Sequence, residues 1–231
     1  MSAATWRRYP PHVFYLFAAP WILGFLLLTV VPFGYTAVMS LTNFDGASDR
    51  WRFIGLRNYT ELFTDYPDAL HSLWITVAFT ALVVPLSVAG GLGLAVLVNR
   101  RMRVLGLIRA IFFLPSVVPV VATAIMWRLI FNRDAGLLNG VLNVLHLPSI
   151  TWLTDPYAFT ALLIVMLWGV GGGMVITLAA LQDVPHELVE AATIDGAGSW
   201  RVLRSVTIPL ISPVLYFQVV TGVIAALQVL V

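Results

Sequence analysis

The run ELVEAATIDGAGSWRVLRSVTIPLISP, residues 187–213, is the most polar stretch in the second half of a chain that is otherwise close to solid hydrocarbon. Its residues suit gripping better than bond-breaking. Glu190 offers one carboxylate, able to accept a charge-assisted hydrogen bond from an arginine on another protein. Ala191 and Ala192 leave one side of the helix with little bulk, so a second surface can approach the backbone closely. Gly196 and Gly198 supply a break, because glycine readily takes the φ > 0 conformations of turns. Other chemistry is excluded by what is missing. There is no cysteine, hence no thiol nucleophile and no thiolate-bound metal, and all thirteen basic residues are arginine. Without lysine there is no phosphate-binding P-loop and no Schiff base. His12, His71, His146 and His186 are scattered, and neither an HExxH nor a GxSxG motif occurs. No metal site is expected.

The elements that must position this run are membrane helices. Sixty per cent of the 231 residues are apolar and a tenth are charged, where a soluble domain carries roughly a quarter charged. Mean hydropathy is +0.92. Five apolar segments, at about 13–41, 70–98, 104–131, 157–181 and 212–231, are long enough to cross about 30 Å of hydrocarbon. Lipid offers the backbone no hydrogen-bond partners, so these segments must be helical. The fold class is an all-α polytopic membrane protein, and residues 1–231 are expected to form one transmembrane domain. Pro20 and Pro32 are expected to bend the first span. Trp6-Arg7-Arg8 before it superficially resembles a signal peptide, but the apolar run is too long for one.

Arginine placement sets the orientation. Arg7, Arg8, Arg100, Arg101, Arg103, Arg109, Arg201 and Arg204 fall on one side; Arg50, Arg52, Arg57, Arg128 and Arg133 fall on the other. The N-terminus and the loop at about 183–209 are therefore expected in the cytoplasm. Five spans would then leave Val231 on the far side with no polar flank, so a sixth span is expected beyond it. Exclusive use of arginine with abundant Ala, Val and Leu fits a GC-rich bacterial genome.

Within the 183–209 loop, LQDVPHELVEAATID reads as a short helix capped by Asp183 or a neighbour, with Pro185 in its first turn. Ser199 is expected to cap a second helix, SWRVLRSVT, that stops before Pro209. The product is a helix-turn-helix knob on the cytoplasmic face. An ordinary connector resting on the membrane surface fits the same residues equally well.

Glu190-Ala191-Ala192, three residues, Gly196, nine residues, then Val206-x-Ile208-Pro209 resembles the EAA loop of ABC importer membrane subunits. The family pattern has Ile and Leu where this chain has Val206 and Ile208, both conservative departures. Asp195 before Gly196 and Ala197 after it resemble the form common in sugar importers. YLFAAPWILGFLLLTVVPFGYTAVMSLTNFD and FIGLRNYTELF are similar to the first span and following segment of the carbohydrate branch. The resemblance covers essentially the whole chain. It implies a binding-protein-dependent permease in a bacterial inner membrane. Its implied partners are a cytoplasmic ATPase dimer, an extracytoplasmic solute-binding protein and a second permease subunit, with a heterodimer expected. ATP and magnesium would belong to the ATPase, and this chain would be no enzyme.

The resemblance assigns coupling to the ATPase to Glu190, Ala191, Ala192, Asp195, Gly196 and Pro209. It places the solute between the spans flanking the loop, where Trp168, Gly169, Gly172, Gln218, Thr221 and Gln228 are the candidate contacts. No charge lies deep in either span, which suits a neutral solute such as a sugar; a polyol or glycerol phosphodiester is the alternative. Small residues also pack helices together, and Trp near a span end also anchors at the interface. An intramembrane enzyme or a stand-alone ion-coupled carrier would need ionisable groups inside the spans, and these spans have no deep carboxylate.

Overall fold

The structure is a computed structural model that describes residues 10–47, 51–99 and 105–228. Among these residues it is helical, with one isolated antiparallel bridge between Thr42 and Phe53. Arg7, Arg8, Asp49, Arg50, Arg100, Arg101, Arg103 and the last three residues of the fifth expected span lie outside the described residues. The chain divides into two compact units, residues 1–72 and 73–231.

In the first unit, α1 (Pro11–Phe25) and α2 (Val31–Met39) are joined by a π-helical turn at Leu26–Val30. Together they make one apolar helix, His12–Met39, long enough to cross a membrane. The π-turn explains how Pro32 is accommodated without a break. A proline ring clashes with the carbonyl four residues earlier, and the wider turn moves that carbonyl aside. Val31 N–H reaches back five residues to the Leu26 carbonyl.

Past Met39 the chain folds back on itself. Asn43 N–H donates to the Arg52 carbonyl at 3.1 Å, and Ile54 N–H donates to that of Leu41 at 2.9 Å. Gly55, at φ +62°, then makes the turn into α3 (Arg57–Thr64). Asn58 Nδ2 donates to the carbonyls of Ser40 and Thr42, each at 2.8 Å, satisfying groups that the end of α2 leaves open. Arg57 pairs with Glu61 one turn on, and that hydrogen bond, reinforced by the carboxylate's charge, raises the guanidinium's pKa.

The long helix α4 (Pro67–Val98) includes the division after Ser72 and is the second element able to cross unaided. The third expected span is not straight: α5 (Leu105–Val117) and α6 (Val120–Ile130) meet at 100°. Pro119 causes this, since a residue before proline is pushed out of the α region; Pro119 itself is extended, at ψ 139°. After α7 (Leu137–Val144), the fourth expected span is α8 (Ala158–Trp168) and α9 (Gly171–Gln182), bent 41° at Gly169-Val170.

The helices α10 (His186–Ile194) and α11 (Ser199–Val202) follow, and a second π-turn, Leu203–Thr207, leads into α12 (Ile208–Gln228). The expectation that the second loop helix stops before Pro209 is overturned. Ser199–Gln228 is one continuous helix of 30 residues. As at Pro32, the π-turn ends two residues before the proline, and Ile208 N–H reaches back to the Leu203 carbonyl.

Two buried clusters hold the second unit together. Ala95, Val98, Leu105, Met174, Leu181 and Ile211 join the ends of α4, α5, α9 and α12. Phe79, Val83, Val84 and Ala226 join the other part of α4 to α12, with Phe79 edge-to-face on Phe159 of α8. Among lipid tails the hydrophobic effect does not drive helices together, so close van der Waals contact must. Glycines make that contact possible. The Gly91 Cα would carry a Cβ only 3.2 Å from backbone atoms of Gly173 and Met174.

Candidate functional site

Two features gather the candidate residues: the loop knob and a groove between helices. The knob starts where α9 ends. Asp183 terminates α9 there, and neither expected side-chain cap forms. Pro185 occupies the N-cap position of α10 and Gly198 that of α11, with no side-chain hydrogen bond at either. Both residues take extended backbone angles, which place His186 and Ser199 inside the helices instead.

The turn between α10 and α11 is a Schellman motif. Gly196 sits at φ +81°. Ala197 N–H donates to the Ala192 carbonyl and Gly196 N–H to that of Thr193, both at 3.0 Å. Val184 is buried and Val189 packs on the adjacent core, so the knob is seated from one side. Its opposite side is open. Glu190 and Ala191 are exposed, Ala192 is half-buried, and Asp195 and Gly196 are exposed. Pro209 lies in the first turn of α12, beyond the knob. Glu190 has no ion-pair partner among the described residues.

Sequence reasoning missed the apolar part of this open surface. Ile194 is 85% exposed and Trp200 70%. Their positions flanking the turn at 195–198, away from the side seated by Val184 and Val189, were the available signal.

The groove, of about 440 Å³, lies between α4, α8, α9 and α12. Its polar centre is Gln218, which is held from behind by Thr177. Gln218 Nε2 donates to Thr177 Oγ1 at 2.8 Å, and both residues are buried. Gly173 leaves the space that the Gln218 side chain fills, since a Cβ there would lie 3.0 Å from Oε1. Ser87, Thr221 and Gly169 also line the groove, and among the described residues no ionisable one does. Thr221 Oγ1 donates to the Phe217 carbonyl of its own helix at 2.9 Å.

Gly169, Gln218 and Thr221 thus share one groove, and the other three candidates lie elsewhere. Trp168 packs edge-to-face on Trp127 at 5.9 Å, in an aromatic chain that continues through Phe131 and Trp152 to Tyr157. Gly172 faces Ser116 of α5. Gln228 is exposed at the end of α12 and does not line the groove. Ser87 was missed as a groove residue, and Thr177 as the buried partner of Gln218. They sit in apolar stretches where a small or hydroxyl side chain carries no distinguishing pattern.

The aromatic chain is braced by Asn139, which is 1% exposed. Its Nδ2 donates to the carbonyls of Arg133 and Ile150, while its Oδ1 accepts from Ile150 N–H and Trp152 Nε1.

Residues 87–231 match the family described as binding-protein-dependent transport system inner membrane component. A probable ABC transporter permease protein of Bacillus subtilis is 35% identical over 216 residues, covering 92% of this chain and 69% of the relative. A trehalose/maltose transport system permease protein of Thermococcus litoralis is 34% identical, covering 93% and 73%. A lactose transport system permease protein of Rhizobium radiobacter is also 34% identical, covering 98% and 76%. A chain in the crystal structure of a bacterial alginate ABC transporter, in complex with an alginate pentasaccharide-bound periplasmic protein, shares the fold. Its TM-score is 0.81 at 21% identity, over 94% of this chain and 73% of that one.

Proposed function

The chain belongs to the inner membrane components of binding-protein-dependent transport systems, and from that membership we propose that it lines the path of a neutral saccharide through an ATP-driven importer. Family members are transport subunits rather than enzymes, and they work with an ATPase and a solute-binding protein. In this reading the path runs through the groove at Gln218. The observation that carries it is the groove's lining, which offers amide and hydroxyl groups but no ionisable one. A neutral polyhydroxylated solute needs hydrogen bonds and no counter-charge, whereas a charged solute would enter without compensation. The trehalose/maltose and lactose relatives support the same solute class.

The knob is the point of attachment to the ATPase. Glu190 presents a carboxylate to a cationic partner group, Ala191 and Ala192 permit close approach, and Gly196 sets the turn. Asp195 and Pro209 complete the coupling segment. ATP and magnesium are bound by that partner and not by this chain. A second permease, different from this one, completes the pathway, and the N-terminus lies in the cytoplasm of a bacterium.

The test is affinity purification of the tagged chain in mild detergent, followed by uptake in reconstituted vesicles with the cognate binding protein. The expected result is recovery of a P-loop ATPase and a second membrane subunit, with uptake inhibited by neutral oligosaccharides and not by anionic ones. Glu190→Ala should lose the ATPase while keeping normal insertion. Full uptake in that variant, or transport with no ATPase present, would refute the coupling role.

A further inference from the structure

The helix α3 (Arg57–Thr64) is not used by the groove or the knob, yet its surface is strongly sorted. At about 100° per residue, Leu56, Tyr59, Leu62, Phe63 and Tyr66 fall on one side. Arg57, Thr60, Glu61 and Thr64 fall on the other. The five apolar and aromatic side chains are all between 45% and 67% exposed. A stripe of this kind left in water would be an uncovered hydrophobic patch.

Both ends of α3 are tied to the ends of membrane-crossing helices. At its start, Asn58 Nδ2 holds the carbonyls of Ser40 and Thr42, and Tyr59 Oη lies 2.7 Å from Ser40 Oγ. Ser40 immediately follows α2, the end of the first span. At its finish, Asp65 and Tyr66 are all that separate α3 from Pro67, the first residue of α4. A helix of about 12 Å, tied at its start to the end of the first span, stays close to the membrane surface at that end.

We propose that α3 is an in-plane anchor whose apolar stripe is seated in the bilayer leaflet at the far end of the first span. The occupant of the stripe is the headgroup and upper acyl region of that leaflet. Tyr59, Phe63 and Tyr66 are residue types that favour that depth, and amphipathic helices of this kind sink their apolar face about 5–10 Å into it. Charge is not the attraction. Arg57 is paired within α3 with Glu61 and also faces the charge of Asp65, so anionic lipid is not required. The anchor would fix the depth of the first two spans. It rests on residues 12–39 and 67–98 crossing the bilayer.

The chain contains no cysteine, so each introduced thiol is unique. Leu62→Cys and Phe63→Cys sample the apolar stripe; Thr60→Cys and Thr64→Cys sample the polar side. Each variant of the full chain, extracted with its native partners, is nitroxide-labelled and reconstituted in phosphatidylethanolamine/phosphatidylcholine vesicles. Collision with oxygen, which concentrates in lipid, is compared with collision with a water-soluble nickel chelate. The expected result is an oxygen-to-nickel ratio several-fold higher at Leu62 and Phe63 than at Thr60 and Thr64. Equal nickel access on both sides would place the stripe in water and overturn the proposal. Exclusion of both reagents at Leu62 and Phe63 would place it against a protein subunit and also overturn it. Leu28→Cys, in the first span, must be shielded from the nickel chelate; if nickel reaches it as freely as Thr60, the crossing premise fails, separately from α3.

Discussion

Gly171 and Gly172 are neighbours in sequence with opposite tolerances for a methyl group. A Cβ on Gly171 would be driven into the Phe112 carbonyl oxygen, 2.5 Å from its carbon and 3.0 Å from Phe113 nitrogen. All three are backbone atoms of α5, so no side-chain rotation relieves the clash and the two helices must separate. A Cβ on Gly172 would lie 3.4 Å from Ser116 Cβ, an ordinary van der Waals distance. Overpacking costs about 1–3 kcal/mol, and a rigid backbone obstacle puts Gly171→Ala at the upper end. Replacing helical glycine by alanine returns about 1 kcal/mol at either position. The net expectation is a loss of about 2 kcal/mol for Gly171→Ala and a gain of up to about 1 kcal/mol for Gly172→Ala. For a domain of this size, 2 kcal/mol lowers the midpoint of thermal unfolding by about 4–8 °C. The assay is the temperature at which the detergent-extracted assembly loses its monodisperse elution peak, with vesicle uptake measured alongside. Equal midpoints for the two variants, or the reverse order, would refute the close α5–α9 packing. Loss of uptake in Gly172→Ala at unchanged stability would return Gly172 to the solute path.

Other sites give sharper local readouts. Gly196→Ala forces a left-handed backbone on a residue with a Cβ, at about 1–2 kcal/mol, so α10 should loosen; faster proteolysis within residues 186–199, at an unchanged global midpoint, is the expected sign. Asn139→Ala removes four well-formed hydrogen bonds, and at about 1 kcal/mol each the aromatic cap should be destabilised by about 3–4 kcal/mol. Tryptophan emission of the purified assembly should then shift to the red well below the wild-type unfolding temperature. Gln218→Leu removes the polar centre of the groove without adding bulk, and should abolish saccharide uptake while leaving the ATPase bound.

Much of the fold was legible because it follows from length and hydropathy alone. Lipid forces any long apolar run into a helix, so the five segments could be located from composition. The exact path of those helices was not, because it depends on backbone detail that hydropathy does not encode. Pro119 breaks the third segment at 100°, whereas Pro32 and Pro209, each following a π-turn, break nothing, and neither do Pro20, Pro85 and Pro213, which no π-turn precedes directly. These prolines look alike in sequence. The turn at Gly196 was legible from glycine's freedom at positive φ. The expected caps at Asp183 and Ser199 were not realised, because the extended angles of Pro185 and Gly198 shift each helix start by one or two residues. In the groove, Gln218 stood out as an amide in an apolar span. Its partner Thr177 did not, because the two are 41 positions apart and a single threonine in a span is unremarkable.

The continuity of Ser199–Gln228 decides how the knob and the groove can communicate. The two helices that leave the knob towards the membrane are not equivalent. On the α9 side the chain is interrupted at Val184-Pro185, with Val184 buried in the core, so displacement there is absorbed by a turn. On the α12 side there is no interruption, and Gln218 lies roughly 28 Å along the same rod from Ser199, at about 1.5 Å per residue. The soft point on that rod is Leu203–Pro213, where a π-turn and two prolines remove regular hydrogen bonds. Beyond it the helix is regular, and the first polar contact it makes with another helix is Gln218 on Thr177. A tilt imposed at the knob must therefore be taken up in the π-turn or passed to that hydrogen bond. If the knob is the ATPase attachment proposed above, a load on it reaches the groove through the continuous α12 side rather than through the interrupted α9 side.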